Sequence, residues 1–153
     1  MGDFHQSGIV TTLHNLTRRS LHELEAELTN FSQQRRLGLI LPSLYSELDT
    51  EALPNIMHIL KDVPYLNQIV IGLDRADLAQ YQHALEFFSV LPQNHHVLWN
   101  DGERLQALHK DLAEQGLAPS HIGKGRNVWY CMGYVLASRK AESVALHDCD
   151  ILT

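Results

Sequence analysis

The chain has 153 residues, 12 Lys and Arg against 18 Asp and Glu, a net charge of −6, and a 44% hydrophobic and 20% charged composition. That size and balance predict one folded domain and exclude a disordered or fibrous chain. The acidic balance excludes a general nucleic-acid or anionic-membrane binder, although it leaves room for a local anion site.

The opening residues, Met1-Gly2-Asp3-Phe4-His5-Gln6, have neither the basic nor the apolar region of a signal peptide, and Gln6 stands where a myristoylation signal wants Ser or Thr. A short helix is predicted from about Ile9 to Asn15. Ser20-Leu21-His22-Glu23 forms a capping box, after which Leu21, Leu24, Leu28 and Phe31 share one helical face. Residues 1–36 are therefore expected to form a helical arm packed on the core or on a partner subunit, and residues 37–153 the domain proper. Leu37-Gly38-Leu39-Ile40-Leu41-Pro42 reads as a strand buried on both faces, with a polar loop from Ser43 to Thr50. Leu53, Ile56, Met57 and Leu60 mark a helix that holds Pro54 in its first turn.

A second strand, Gln68 to Leu73, breaks into Asp74-Arg75-Ala76-Asp77 before a helix marked by Leu78, Tyr81, Leu85 and Phe88. Val97-Leu98-Trp99 is a third strand, ending in Asn100-Asp101-Gly102. The next helix carries Leu105, Leu108 and Leu112, with Gly116 just past its end. Gly123-Lys124-Gly125 then opens the last helix, marked by Val128, Trp129, Met132, Val135 and Leu136, and Ser143 to His147 is the fourth strand. Four alternations of strand and helix predict an α/β fold: a Rossmann-like three-layer sandwich with a mostly parallel sheet and right-handed crossovers. No stretch is long and apolar enough for a membrane span. Cys131 and Cys149 form no zinc or CxxC spacing and no disulfide framework, as expected of a cytoplasmic protein, and ten scattered histidines give no HExxH.

Ligands of such sheets collect at the carboxyl ends of the strands, where each polar cluster of this sequence falls. Asp148-Cys149-Asp150 follows the fourth strand directly. In extended backbone both carboxylates would project to one side, as hard oxygen donors suited to Mg²⁺ or Mn²⁺ that could also bridge to a diphosphate. Cys149 is a small packing residue with nothing nearby to lower its pKa. Gly123-Lys124-Gly125-Arg126-Asn127 leads into a helix whose start favours anions. It is not a Walker A loop, since Ala118 replaces the first Gly and Gly125 the Ser or Thr; nor is it a dinucleotide fingerprint, since Val128 replaces the third Gly. Pro42 to Glu47, with Asp74, could hold a nucleoside. Taken singly, each motif is equally a turn, a cap or a flexible loop.

Together, in this order, the motifs resemble the nucleotide-binding half of GT-A-fold glycosyltransferases, and within them glucosyl-3-phosphoglycerate synthases and related retaining bacterial enzymes. The resemblance runs from Leu37 to Thr153. It implies that Pro42, Ser43, Leu44 and Ser46 or Glu47 line the nucleoside, that Asp74 sits near the base or ribose, that Lys124 contacts base or diphosphate, that Asp148 approaches the ribose, and that Asp150, with Asp148, holds Mg²⁺ or Mn²⁺. It implies metal-assisted, retaining transfer of a hexose from a UDP- or GDP-hexose to a small acceptor such as 3-phosphoglycerate. Tyr45-Ser46 and the turn at Arg75-Ala76-Asp77 depart from the family pattern, so the base is open. Because such enzymes place acceptor binding in a second half after the Asp148-Cys149-Asp150 motif, a chain ending at Thr153 is expected to be a fragment, to bind nucleotide without turnover, and to associate through an unpaired sheet edge as a homo-oligomer. Two other readings stay open: a nucleotidyltransferase-like domain, which would prefer a free nucleoside triphosphate, and a non-enzymatic oligomerising α/β domain.

Overall fold

The computed structural model describes residues 19–152. The helix predicted from Ile9 to Asn15 lies outside them. The capping box forms as read. Glu23 N–H donates to Ser20 Oγ at 3.3 Å, the Ser20 N–H donates to the Glu23 carboxylate at 3.0 Å, and helix α1 runs Leu21–Gln34. Of the two packings expected of this arm, the one on the core is not seen among the described residues: none of the residues of α1 is buried, and Leu21, Leu24, Leu28 and Phe31 are 36% to 71% exposed. Its cap and the Arg19–Glu27 ion pair are contacts within the local chain, which support a helix on their own.

Four strands form one all-parallel sheet: β1 (Leu37–Leu44), β2 (Leu66–Asp74), β3 (His95–Trp99) and β4 (Ser143–Leu146), in the order β3-β2-β1-β4. Helices α2 (Ala52–Leu60) and α3 (Leu78–Phe88) connect β1 to β2 and β2 to β3; α4 (Glu103–Glu114) and α5 (Lys124–Ser138) lead back across the sheet to β4. The α/β class and the parallel sheet are as predicted.

The alternation of side chains along each strand divides the core. Leu39, Leu41, Ile69, Ile71, Leu73 and Val97 point to the face covered by α2 and α3 and join Leu53, Ile56, Met57, Leu60 and Phe88 there. Ile40 and Val70 point the other way, to Cys131 and Val135 of α5. Covering both faces is what makes β1 and β2 nearly continuous apolar runs.

Two predicted boundaries move. β1 continues through Pro42, Ser43 and Leu44, each opposite a residue of β2, and the expected loop contracts to a 3-10 turn over Tyr45–Asp49. Proline is tolerated there because the Ile40 carbonyl, which accepts from His147 N–H at 3.1 Å, faces β4, so Pro42 faces the same way beyond the last β4 pairing at Leu146. The Gly-Lys-Gly segment is not a free loop. Gly123 caps α5 with φ 146°, a conformation open to glycine alone, and Lys124 and Gly125 are already in the first helical turn.

Candidate functional site

At the carboxyl end of the sheet, between β1, β2 and the start of α5, lies a cleft of about 680 Å³. The connections place it at the switch point, since β2 and β3 follow on one side of β1 and β4 returns on the other. Pro42, Ser43, Leu44, Glu47, Asp74 and Lys124, all singled out from sequence, line it. Ser46 is exposed and does not line it. Each wall has a local cause. The Leu44 N–H donates to Glu47 Oε2 at 3.0 Å, which folds the 3-10 turn back over the end of β1. Ser43, 2% exposed, donates to the Leu44 carbonyl at 3.0 Å.

The floor is a buried polar cluster. Asn100 Nδ2 donates to Asp74 Oδ1 at 2.9 Å, and Arg126 Nη2 lies 3.6 Å from the same oxygen. The Asp74 and Arg126 side chains are 8% and 9% exposed. Asn127 Nδ2 donates to the Gly72 carbonyl at 2.8 Å and pins the first turn of α5 to β2. The turn after β2 is held from the third strand: Ala76 N–H donates to Asp101 Oδ2 at 3.0 Å and Trp99 Nε1 to the Ala76 carbonyl at 2.7 Å. These contacts keep Arg75 in left-handed backbone, φ 57°, at the cleft wall.

At the rim, Lys124 Nζ donates to Asp148 Oδ1. The glycine turn and the first aspartate of the pair therefore meet. Asp150 does not share this contact. The segment after β4 is not extended as the sequence reading had it: Cys149 and Asp150 form a turn, so strand alternation does not set their directions, and Asp150 is exposed. Among the described residues no three His, Cys, Asp or Glu side chains group as a metal site. The Cys149 thiol is pushed up to about 12 by burial and then by the Glu47 charge, and the Cys131 thiol up to about 12 by burial and then by Asp74. Neither is a nucleophile at neutral pH.

Chemically, the cleft offers an anion-favouring rim and an acceptor floor. The rim is the N-terminus of a 15-residue helix with no side-chain cap and a lysine in its first turn. The floor is a fixed carboxylate. Asp101 and Gln106 line the cleft beside it and Asn100 holds its carboxylate; none was singled out as a site residue, although Asn100 and Asp101 stand in the polar cluster directly after the third strand, whereas Gln106 lies inside α4 and gave no signal. Gln106 Nε2 donates to the Asn100 carbonyl at 2.6 Å.

No protein-family model and no solved structure matches the chain. It is 46% identical over 152 residues to glucosyl-3-phosphoglycerate synthase of Persephonella marina, covering 99% of this chain and 38% of that protein. It is 34% identical over 152 residues to glucosyl-3-phosphoglycerate synthase of Methanococcoides burtonii, covering 99% of this chain and 37% of that one. The chain matches part of a GT-A-like glycosyltransferase. It spans well under half the length of these curated relatives. The resemblance read from Leu37 to Thr153 thus extends, in similarity to these relatives, across nearly the whole chain, α1 included. None of its described helices is long and apolar enough to cross a membrane.

Proposed function

We propose that this chain is the donor-binding part of a glycosyltransferase and holds a nucleoside diphosphate hexose in the cleft above Asp74, with the diphosphate at the start of α5. The observation that carries this reading is the meeting of Lys124 with Asp148 at the switch point of a parallel sheet. The names of the two relatives support the sugar chemistry, and suggest glucose as the hexose and 3-phosphoglycerate as the acceptor for the whole protein.

In this reading Pro42, Ser43, Leu44 and Glu47 flank the nucleoside, and Asp74 accepts a hydrogen bond from it. The free N–H groups of the first α5 turn and the Lys124 ammonium take the diphosphate and stabilise it as it leaves, which is electrostatic assistance by groups already in place. Asp148 and Asp150 fit the one or two carboxylates with which a protein shares Mg²⁺ or Mn²⁺ with substrate phosphates. When bound, the ion would neutralise charge developing on the departing diphosphate. With such an ion held by Asp148, Lys124 would be available to the phosphates.

Titration of the 153-residue chain with UDP-glucose, GDP-glucose, GDP-mannose and UTP, with and without Mn²⁺, tests this. Saturable binding of a sugar nucleotide, strengthened by Mn²⁺ and weakened about tenfold by Lys124→Met, is expected, one charged hydrogen bond being worth ~1.5–3 kcal/mol. Preference for UTP would transfer the reading to nucleotidyl transfer. Binding of none of them by the folded chain would leave an association domain.

A further inference from the structure

The glycine turn carries two cations, and the structure gives them different surroundings. The Lys124 side chain is 55% exposed at the rim, whereas that of Arg126 is 9% exposed and lies against Asp74. A guanidinium so enclosed is poorly placed to follow a diphosphate across an open rim. Its Nε is buried without a hydrogen-bond partner, as is Asn100 Oδ1, so these groups have been taken out of water for the sake of one neighbour. That neighbour is a single oxygen. Asn100 Nδ2 and Arg126 Nη2 both address Asp74 Oδ1, while among the described residues nothing donates to Asp74 Oδ2. An ionised carboxylate can only accept, and it repels phosphate. The floor of the cleft is therefore an acceptor held in one orientation, suited to an N–H or O–H of a neutral ligand group.

Resting on the donor-binding reading above, we propose that Arg126 is a positioning residue for the nucleoside rather than a diphosphate cation: with Asn100 it fixes Asp74 so that Oδ2 accepts from a nucleoside N–H or O–H. Lys124 alone of the two serves the diphosphate. The cleft has two zones, and each cation of the turn belongs to one of them.

The test compares uridine with UDP, and guanosine with GDP, on the full chain by NMR titration, following the Asn100 side-chain amide signals. Arg126→Met should weaken nucleoside and diphosphate by the same factor, about tenfold, and Lys124→Met should weaken the diphosphates and leave the nucleosides unchanged. Arg126→Lys should recover most of the loss in both, and it decides by the same ratio should the Met variant not fold. The Asn100 amide signals should shift with the free nucleoside alone, as they would not for a residue that merely braces α5. 3-Methyluridine and 2′,3′-dideoxyuridine tell whether the donor is the base N–H or a ribose hydroxyl. Loss of UDP and GDP binding with nucleoside binding intact in the Arg126 variants would overturn the inference and return Arg126 to the diphosphate; no effect on either would also overturn it. If the unsubstituted chain binds no nucleotide or nucleoside, the donor-binding reading fails and this one with it.

Discussion

The two faces of the sheet are built differently. Under α2 and α3 lies a thick apolar layer that draws on β1, β2, β3, both helices and Cys149. Under α5 the buried apolar layer is only Ile40, Val70, Cys131 and Val135, edged by the partly buried Leu98, Tyr134, Ala141 and Val144, and polar contacts share that interface: Asn127 on Gly72, Ser138 Oγ on Gln68 Oε1 at 3.0 Å, Arg126 on Asp74. The first face holds the fold together by burial, which is non-directional. The second is fixed by hydrogen bonds, which set angle and register, and it is the face whose helix start forms the cleft. A helix that must present its N-terminus at a defined place is better held by directional contacts than by a greasy layer on which it could slide.

The sharpest way to break this contrast is a pair of identical truncations. Ile71 and Ile40 are both fully buried in adjacent central strands and point to opposite faces. Ile71→Ala should lose about 4 kcal/mol, near the upper part of the ~2–5 kcal/mol range for such changes, because many rigid neighbours surround the cavity. Ile40→Ala should lose about 2 kcal/mol, because one helix can settle onto the smaller residue. Denaturant melts of the two variants measure the difference; equal losses would remove the distinction.

The polar face is probed next. A Cβ at Gly72 would stand 1.7 Å from Asn127 Oδ1 and 2.6 Å from Cys131 Sγ, so Gly72→Ala must push α5 off β2. About 3 kcal/mol of stability should be lost, from overpacking together with a broken buried hydrogen bond. Asn127→Ala removes the same bond without the clash and should lose about 2 kcal/mol. Because Asn127 lies in the first turns of α5, both changes should also weaken nucleotide binding. The ratio of lost affinity to lost stability should exceed that of Ile71→Ala, measured by the same titrations on each folded variant.

The faces were not equally legible in the sequence. The apolar one was: the runs at Leu37 to Leu41 and Gln68 to Leu73, and the heptad-like spacing of Leu53, Ile56, Met57 and Leu60, follow from burial, which leaves a local trace. The capping box at Ser20 and the glycine past α4, Gly116 with φ 69°, were legible for the same reason, each being a local device. The polar face left no such trace. Asn100 meets Asp74 across 26 positions, and Asn127 meets Gly72 across 55, and only the parallel pairing of β1, β2 and β3 brings them together. Six of the eight residues proposed for the nucleotide line one cleft because strand ends converge there whatever the ligand. What the sequence could not assign was which cation of the turn faces inward. The apolar stripe of α1 differs again: helical periodicity is a promise of a partner, and among the described residues α1 has no buried position, so the described core is not that partner.

The cysteines join the two faces in one last comparison. Cys149 belongs to the apolar layer and Cys131 to the polar one, yet both thiols are pushed up to about 12, in each case chiefly by burial and then by a cleft carboxylate, Glu47 and Asp74 respectively. The folded protein therefore keeps both protonated over a range in which the unfolded chain, with thiols near 9, has ionised them. Where the folded value is the higher, the stabilising contribution is intact below pH 9 and declines as pH rises from there toward 12, by up to ~1.4 kcal/mol per pH unit and thiol. At pH 10 each thiol should thus account for about 1 kcal/mol of lost stability relative to pH 8. Chemical denaturation of the chain and of Cys131→Ala and Cys149→Ala at both pH values checks this, since the other ionising groups are common to all three. Equal flattening of the slope by the two variants would show that burial sets both values and that the face does not matter; flattening confined to Cys149→Ala would show that water reaches the α5 interface, as a hydrogen-bonded layer beside an open cleft would permit.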